Sequence, residues 1–180
     1  MNINVTHDLV YGKVVEKAII YLVHAFVGTG HNPKPVILHS IRVGLYLYNK
    51  NYHQGIIVGA LLHDLLEDTD IKMEDIDKEF GSEVAKLVAA NSFNRSINNK
   101  NERDMEMIDR CKEAGKGALI IKAVDILDNS QYYYHLSKNE EEYDRLLRKM
   151  KYFLELSSEE LANEPVWHLL EKRYNELIQS

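Results

Sequence analysis

Gln54-Gly55-Ile56-Ile57-Val58-Gly59-Ala60-Leu61-Leu62-His63-Asp64-Leu65-Leu66-Glu67-Asp68-Thr69 starts apolar and ends charged. Ile56, Ile57, Val58, Ala60, Leu61, Leu62, Leu65 and Leu66 leave almost no polar face, which predicts one buried helix over 54–67. A helix apolar all round needs other elements to cover it, and the flanking sequence supplies them at helical spacing. Val10, Val14, Val15, Ala18, Ile19, Leu22, Val23 and Phe26 mark one helix, which Gly28-Thr29-Gly30 should end. A second is predicted over 35–48, with Pro35 suited to the first turn and Ile37, Ile41, Leu45 and Tyr48 on one side.

Downstream, 73–80 and 82–90 read as two short helices joined at Gly81. The segment 91–101 holds five Asn and two Ser with only Phe93 and Ile97 apolar, which predicts a surface loop. Further helices are predicted over 102–113, 116–136, 139–156 and 159–178, where Pro165 starts a new helix or kinks the last one. No strand pair, interdomain linker or internal repeat is evident. The expectation is a single all-α domain over 1–180, in which the helices of 139–178 complete the core or form an oligomer interface.

Composition narrows the function classes. With 28 Asp+Glu against 22 Lys+Arg in 180 residues the formal charge is −6, which argues against nucleic-acid binding driven by bulk positive charge. At 45% hydrophobic and 28% charged residues, the chain has the composition of an ordinary globular protein. The single cysteine, Cys111, rules out an intramolecular disulfide and any multi-cysteine zinc site. No basic region precedes an apolar core at the N-terminus, and no apolar run approaches the ~18 residues of a membrane span. A cytoplasmic protein without membrane attachment is expected.

The chemistry concentrates where the central helix turns charged. On a helix His63 shares a face with Glu67, and Asp64 with Glu67 and Asp68, so an imidazole and three carboxylates converge beside an apolar wall. Clustered carboxylates raise one another's pKa, and burial adds a further penalty. A divalent cation relieves both, and mixed imidazole and carboxylate donors suit Mn²⁺, Fe²⁺, Zn²⁺ or Co²⁺. The alternative is a helix end that turns acidic where it meets water, although carboxylates there oppose the helix dipole.

His39, His63-Asp64 and Asp125 fall in the order and approximate spacing of the H…HD…D pattern of the HD superfamily of metal-dependent phosphohydrolases. Lys34-Pro35-Val36-Ile37-Leu38-His39 resembles that family's first-histidine helix. Ala60 to Thr69 is similar to the ALLHDxxEDT block of its guanosine-tetraphosphate (ppGpp) hydrolase branch. Phe80-Gly81-Ser82-Glu83-Val84-Ala85-Lys86-Leu87-Val88 and Ile121-Lys122-Ala123-Val124-Asp125-Ile126-Leu127-Asp128-Asn129 are similar to that branch's next two blocks, so the resemblance covers about residues 34–130. It implies a helical HD-domain fold with His39, His63, Asp64 and Asp125 as metal ligands. Glu67 and Asp68 match the acidic pair that handles the attacking water and the leaving group. Lys122 and Asn129 match residues facing the nucleotide. The implied cofactor is a divalent metal, Mn²⁺ first, with Fe²⁺, Co²⁺, Zn²⁺ or Ni²⁺ as alternatives.

The implied activity is hydrolysis of a phosphate or pyrophosphate ester of a nucleotide, ppGpp 3′-pyrophosphate release first and nucleoside 5′-phosphate or triphosphate hydrolysis second. A catalytically weak nucleotide-sensing module is the alternative from another class. The chain departs from the branch at 24–35, where of the expected basic residues only Lys34 remains, a candidate substrate contact. Asp128 stands where His or Tyr is common. Arg42, one helical turn after His39, is either a phosphate contact or half of a surface salt bridge. His24 and His31 flank the glycine turn and read as solvated or core-edge; His53, His135 and His168 read as structural or surface residues. Arg103 would reach an anion only if the polar loop folded over the site. Tyr132, Tyr133 and Tyr134 read as core or oligomer packing. The implied partner is a small-molecule nucleotide, and a homo-oligomer is left open.

Overall fold

The computed structural model describes residues 5–27, 35–133 and 139–179. Every regular element among them is helical, and the fold is all-α. The chain forms two compact units, residues 1–92 and 93–180. No helix among the described residues is long and apolar enough to cross a membrane.

The first unit comprises α1 (Val5–Phe26), α2 (Val36–Asn49), α3 (Gln54–Leu62), α4 (Leu65–Asp68), α5 (Met73–Phe80) and α6 (Ser82–Asn91). Helix α3 lies at its centre, packed by α1, α2 and α6, with Gly55 and every residue from Ile57 to Leu62 buried. That is the position a helix without a polar face must take. Val15, Ala18, Leu22 and Phe26 form the inner stripe of α1. Gly81, at φ +89°, separates α5 from α6 as the two-helix expectation required, in a conformation that favours glycine.

Two expectations for this unit need correction. The helix predicted over 54–67 is two helices, because His63 and Asp64 form a turn between α3 and α4. Asp64, at φ −88° and ψ −7°, stands at the start of α4, and its carbonyl accepts from the backbone N–H of Glu67 and Asp68. The predicted face of α2 also differs from the buried one, which holds Val36, His39, Ser40, Val43, Gly44 and Leu47. Leu38 is 52% exposed and Leu45 37%. The cause is steric: a Cβ at position 44 would fall on Cγ and Cδ2 of Leu61, so α2 approaches α3 closely along the side that carries Gly44.

The second unit comprises α7 (Lys100–Ala114), α8 (Lys116–Asn129), a 3₁₀ turn (Ser130–Tyr132), α9 (Glu140–Leu161) and α10 (Pro165–Leu177). Helix α8 is packed by α7, α9 and α10 and is buried at Ala118 to Ile126 and at Asp128. Met150, Phe153 and Leu154 of α9 are buried within the unit. The predicted break after 156 is absent. The Ser157 and Ser158 hydroxyls donate back to the carbonyls of Phe153 and Glu155, which lets the helix run on to Leu161. Pro165 then opens α10 in its first turn, where its missing N–H costs nothing.

The polar segment 91–101 is only partly a surface loop. Asn91 ends α6 with its side-chain amide donating to Leu87 O, and both Asn91 and Ser92 are buried. Asn99 caps α7 by accepting from the N–H groups of Asn101 and Glu102. Inside the second unit, buried Asp104 pairs with Arg145 and, at 3.6 Å, with Lys149. Arg103 lies 4.5 Å from the centre of the Phe93 ring, an arrangement that offers it a cation–π contact.

Candidate metal centre

The junction of α3 and α4 gathers three donor side chains. His39 on α2 and His63 at the end of α3 are buried, with ring centres 5.2 Å apart. Their Nε2 atoms face each other at 3.3 Å. His63 Nδ1 lies 2.7 Å from Ala60 O, and since a carbonyl only accepts, Nδ1 carries the hydrogen and the neutral ring keeps its lone pair on Nε2. Asp64 completes the group, with Oδ1 3.2 Å from His63 Nε2 and Oδ2 3.7 Å from His39 Nε2.

Two inward-facing imidazole nitrogens beside a carboxylate fit a divalent cation. Ligands about 2.05 Å from one ion at the tetrahedral angle lie about 3.3 Å apart. The two nitrogens stand at that spacing. The turn at His63-Asp64 makes this possible, because it brings neighbouring side chains together where a continuous helix would fan them about 100° apart. Ser92 supports the turn: its hydroxyl lies 2.8 Å from Val88 O and 3.4 Å from the carbonyl of His63. Neither Gly44 nor Ser92 stood out in the sequence as a site residue; a glycine and a serine at the ends of apolar runs were the only signals.

In the second unit, Asp125 lies inside α8 and is 5% exposed. Its Oδ2 accepts from Lys122 Nζ at 3.0 Å, and its Oδ1 accepts from the side-chain amide of Asn129. These are the helical i,i+3 and i,i+4 neighbours, so α8 itself supplies the counter-charge and hydrogen bonds that a buried carboxylate requires. Both residues expected to face a nucleotide thus have their side chains on Asp125. Asp128, one turn on, is also buried.

The remaining candidates are spread more widely. Glu67 and Asp68 lie on α4, Glu67 half-buried and Asp68 exposed, and Arg42 is half-buried on α2. Lys34, His31, Tyr134, His135 and the Gly28-Thr29-Gly30 turn lie outside the described residues. His24 is exposed. His53 caps α3 by accepting from Gly55 N–H, and His168 is exposed with Nε2 2.9 Å from Ala162 O. Tyr133 is buried, and burial raises its hydroxyl pKa far above the ordinary value. Burial likewise pushes the Cys111 thiol up to about 11, unlike a reactive cysteine.

A sequence profile described as "HD domain" matches residues 21–146, more than two thirds of the chain. The chain is 40% identical over 97 residues to the guanosine-3′,5′-bis(diphosphate) 3′-pyrophosphohydrolase MESH1 of Drosophila melanogaster, covering 53% of this chain and 54% of that one. It is 35% identical over 98 residues to the enzyme of that activity from Aquifex aeolicus, covering 53% of this chain and 14% of that one. The matched segments thus span about half the length of the first relative and a small part of the second. Among solved structures, one titled as a metazoan ortholog of SpoT that hydrolyzes ppGpp superposes with a TM-score of 0.73 at 24% identity, covering 92% of this chain and 93% of that one. The structure of lmo0812 from Listeria monocytogenes superposes at 0.70, also at 24% identity, covering 79% and 94%. At that identity the superpositions speak for the fold, and the sequence profile for the family. With the motif blocks in order through the matched region, this chain belongs to the HD domain family.

Proposed function

We propose that the chain is a metal-dependent phosphohydrolase that releases pyrophosphate from the 3′ position of ppGpp, with residues 1–180 acting as one HD domain. The observation that carries the reading is the His39–His63 nitrogen pair at 3.3 Å with the Asp64 carboxylate beside it. The family profile runs from residue 21 to 146 without interruption at the boundary of the compact units, and the relatives named above carry this activity in their names.

In this reading His39, His63, Asp64 and Asp125 hold the cation, Mn²⁺ first. When bound, a divalent ion lowers the pKa of a coordinated water and offsets charge on phosphoryl oxygens. The protein's part is then orientation and proton handling. Ala60 O fixes the His63 tautomer through Nδ1, and the turn aims Asp64 at the same point. Glu67, half-buried on α4, is the proton carrier, with exposed Asp68 assisting. Arg42, three residues after His39, is the candidate phosphate contact together with Lys34. The clustered carboxylates hold a positive ion and thereby let an acidic protein accept a phosphorylated nucleotide. The cytoplasm is the compartment proposed.

The test is hydrolysis by purified protein with Mn²⁺, screened on ppGpp beside nucleoside mono-, di- and triphosphates. Pyrophosphate release from ppGpp is expected, and Asp64→Ala should reduce it to background. Unchanged turnover in that variant would overturn the mechanism; release of phosphate from a 5′-phosphate or triphosphate instead would move the substrate. The departure at residues 24–35 favours a second reading, a nucleotide-sensing module. Tight nucleotide binding without turnover under any metal would select it.

A further inference from the structure

We propose that Lys122 is a positioning residue for Asp125 and not a substrate contact. The inference rests on the reading of Asp125 as a metal ligand.

Lys122 is 2% exposed, and its ammonium lies 3.0 Å from Asp125 Oδ2 within the same helix. It is flanked in α8 by buried Ala118, Leu119, Ile121, Ala123 and Ile126. An ammonium with so little solvent access is poorly placed to meet a ligand arriving from water. Its worth lies in the carboxylate: an ionised pair in an apolar setting is held only when its geometry is good, and removal of one partner strands the other. Asn129 binds the second oxygen, so the carboxylate is held at two points and its plane is fixed about the terminal torsion. Each oxygen keeps a further lone pair for a cation. Hydrogen-bonded partners of this kind orient ligating side chains, and their loss typically weakens metal affinity by roughly 10- to 100-fold.

A competing role has the opposite sign. If the ammonium held the carboxylate in place of the cation, its removal would tighten metal binding. Mn²⁺ affinity, read from the electron paramagnetic resonance signal of free ion, separates the two in Lys122→Met, Lys122→Arg and Asp125→Asn. Thermal melting of the metal-free proteins reports folding. The inference expects Mn²⁺ binding to weaken at least tenfold in Lys122→Met, in line with that general range, and to recover to within a few-fold of wild type in Lys122→Arg, which restores the charge. Unchanged or tighter binding in folded Lys122→Met overturns it. Lys122→Gln, which keeps a donor without the charge, carries the same test if the Met variant does not fold. Wild-type affinity in Asp125→Asn overturns the ligand reading itself, whereas weak binding there with normal binding in Lys122→Met overturns only the role of Lys122.

Discussion

Helices α3 and α8 are the buried centres of their units, yet they treat charge in opposite ways. Helix α3 contains no ionisable residue between Gly55 and Leu62, and its charged groups follow a turn at its end. Helix α8 carries Lys122, Asp125 and Asp128 inside its buried stretch and offsets the Asp125 carboxylate with its own neighbours. A helix that defers its charged groups to its end leaves donor atoms facing one another for an outside cation to join. One that embeds them satisfies them locally, and the polar groups become part of the packing. The end of α3 should therefore be sensitive in function and tolerant in stability, and the surroundings of α8 the reverse.

The largest expected effect lies at the α3 end. Glu67→Gln should slow hydrolysis by ~10²- to 10⁴-fold, the usual worth of a general acid or base, while Mn²⁺ affinity and melting temperature stay near wild type. A comparable loss of rate without Glu67 being the proton carrier would show as an unchanged pH profile. Around α8 the effect moves to stability. Asp104→Ala should cost about 3–5 kcal/mol in urea unfolding because Arg145 and Lys149 lose their buried partner. A loss below 1 kcal/mol would mean that these cations are already satisfied by water, and the contrast between the helices would weaken.

Gly44→Ala should join the two behaviours. The added methyl meets Leu61, and overpacking of this kind costs about 1–3 kcal/mol. Because α2 must then stand off from α3, Mn²⁺ affinity should fall as well, and unchanged affinity would dissociate the helix spacing from the donor pair. The smallest effect concerns alkaline stability. Cys111 in the folded protein is held at about 11 against an ordinary 9.0, so between those values the unfolded chain releases the thiol proton first. Folding stability therefore declines as pH rises through that window and is untouched by this thiol below it. Cys111→Ala should remove up to about 1.4 kcal/mol per pH unit of that slope, measured by urea melts at pH 8, 9.5 and 10.5.

Most of the architecture was legible because burial needs periodicity. The all-α class, the central helices and the glycine between α5 and α6 follow from where apolar residues recur and where they stop. The errors arise where another force overrides that pattern. On α2, Ile37, Ile41 and Leu45 make a persuasive apolar side, but the close approach at Gly44 and the imidazole of His39 set the inner face. Leu65 and Leu66 look the same in a continuing helix and in one restarted after a turn, so the break at His63-Asp64 left no mark in the periodicity. Asn91 and Ser92 have the composition of a loop and the location of a core, since their side chains turn back onto the carbonyls of α6. The donor residues themselves were readable because imidazole and carboxylate are chemically conspicuous. What supports them is made of glycine, serine and backbone carbonyls, which are not.

The turn at His63-Asp64 also bears on how the centre assembles. Two of its three donors in the first unit are consecutive in the chain, so their meeting closes no loop at all. The third, His39, lies 24 residues upstream, and drawing in the ends of such a segment carries an entropic cost that grows only with the logarithm of its length. That closure is already demanded by the α2–α3 hairpin as it packs its apolar side chains. The donors thus reach one another as a by-product of hydrophobic collapse, and cation capture can follow folding without a separate ordering step.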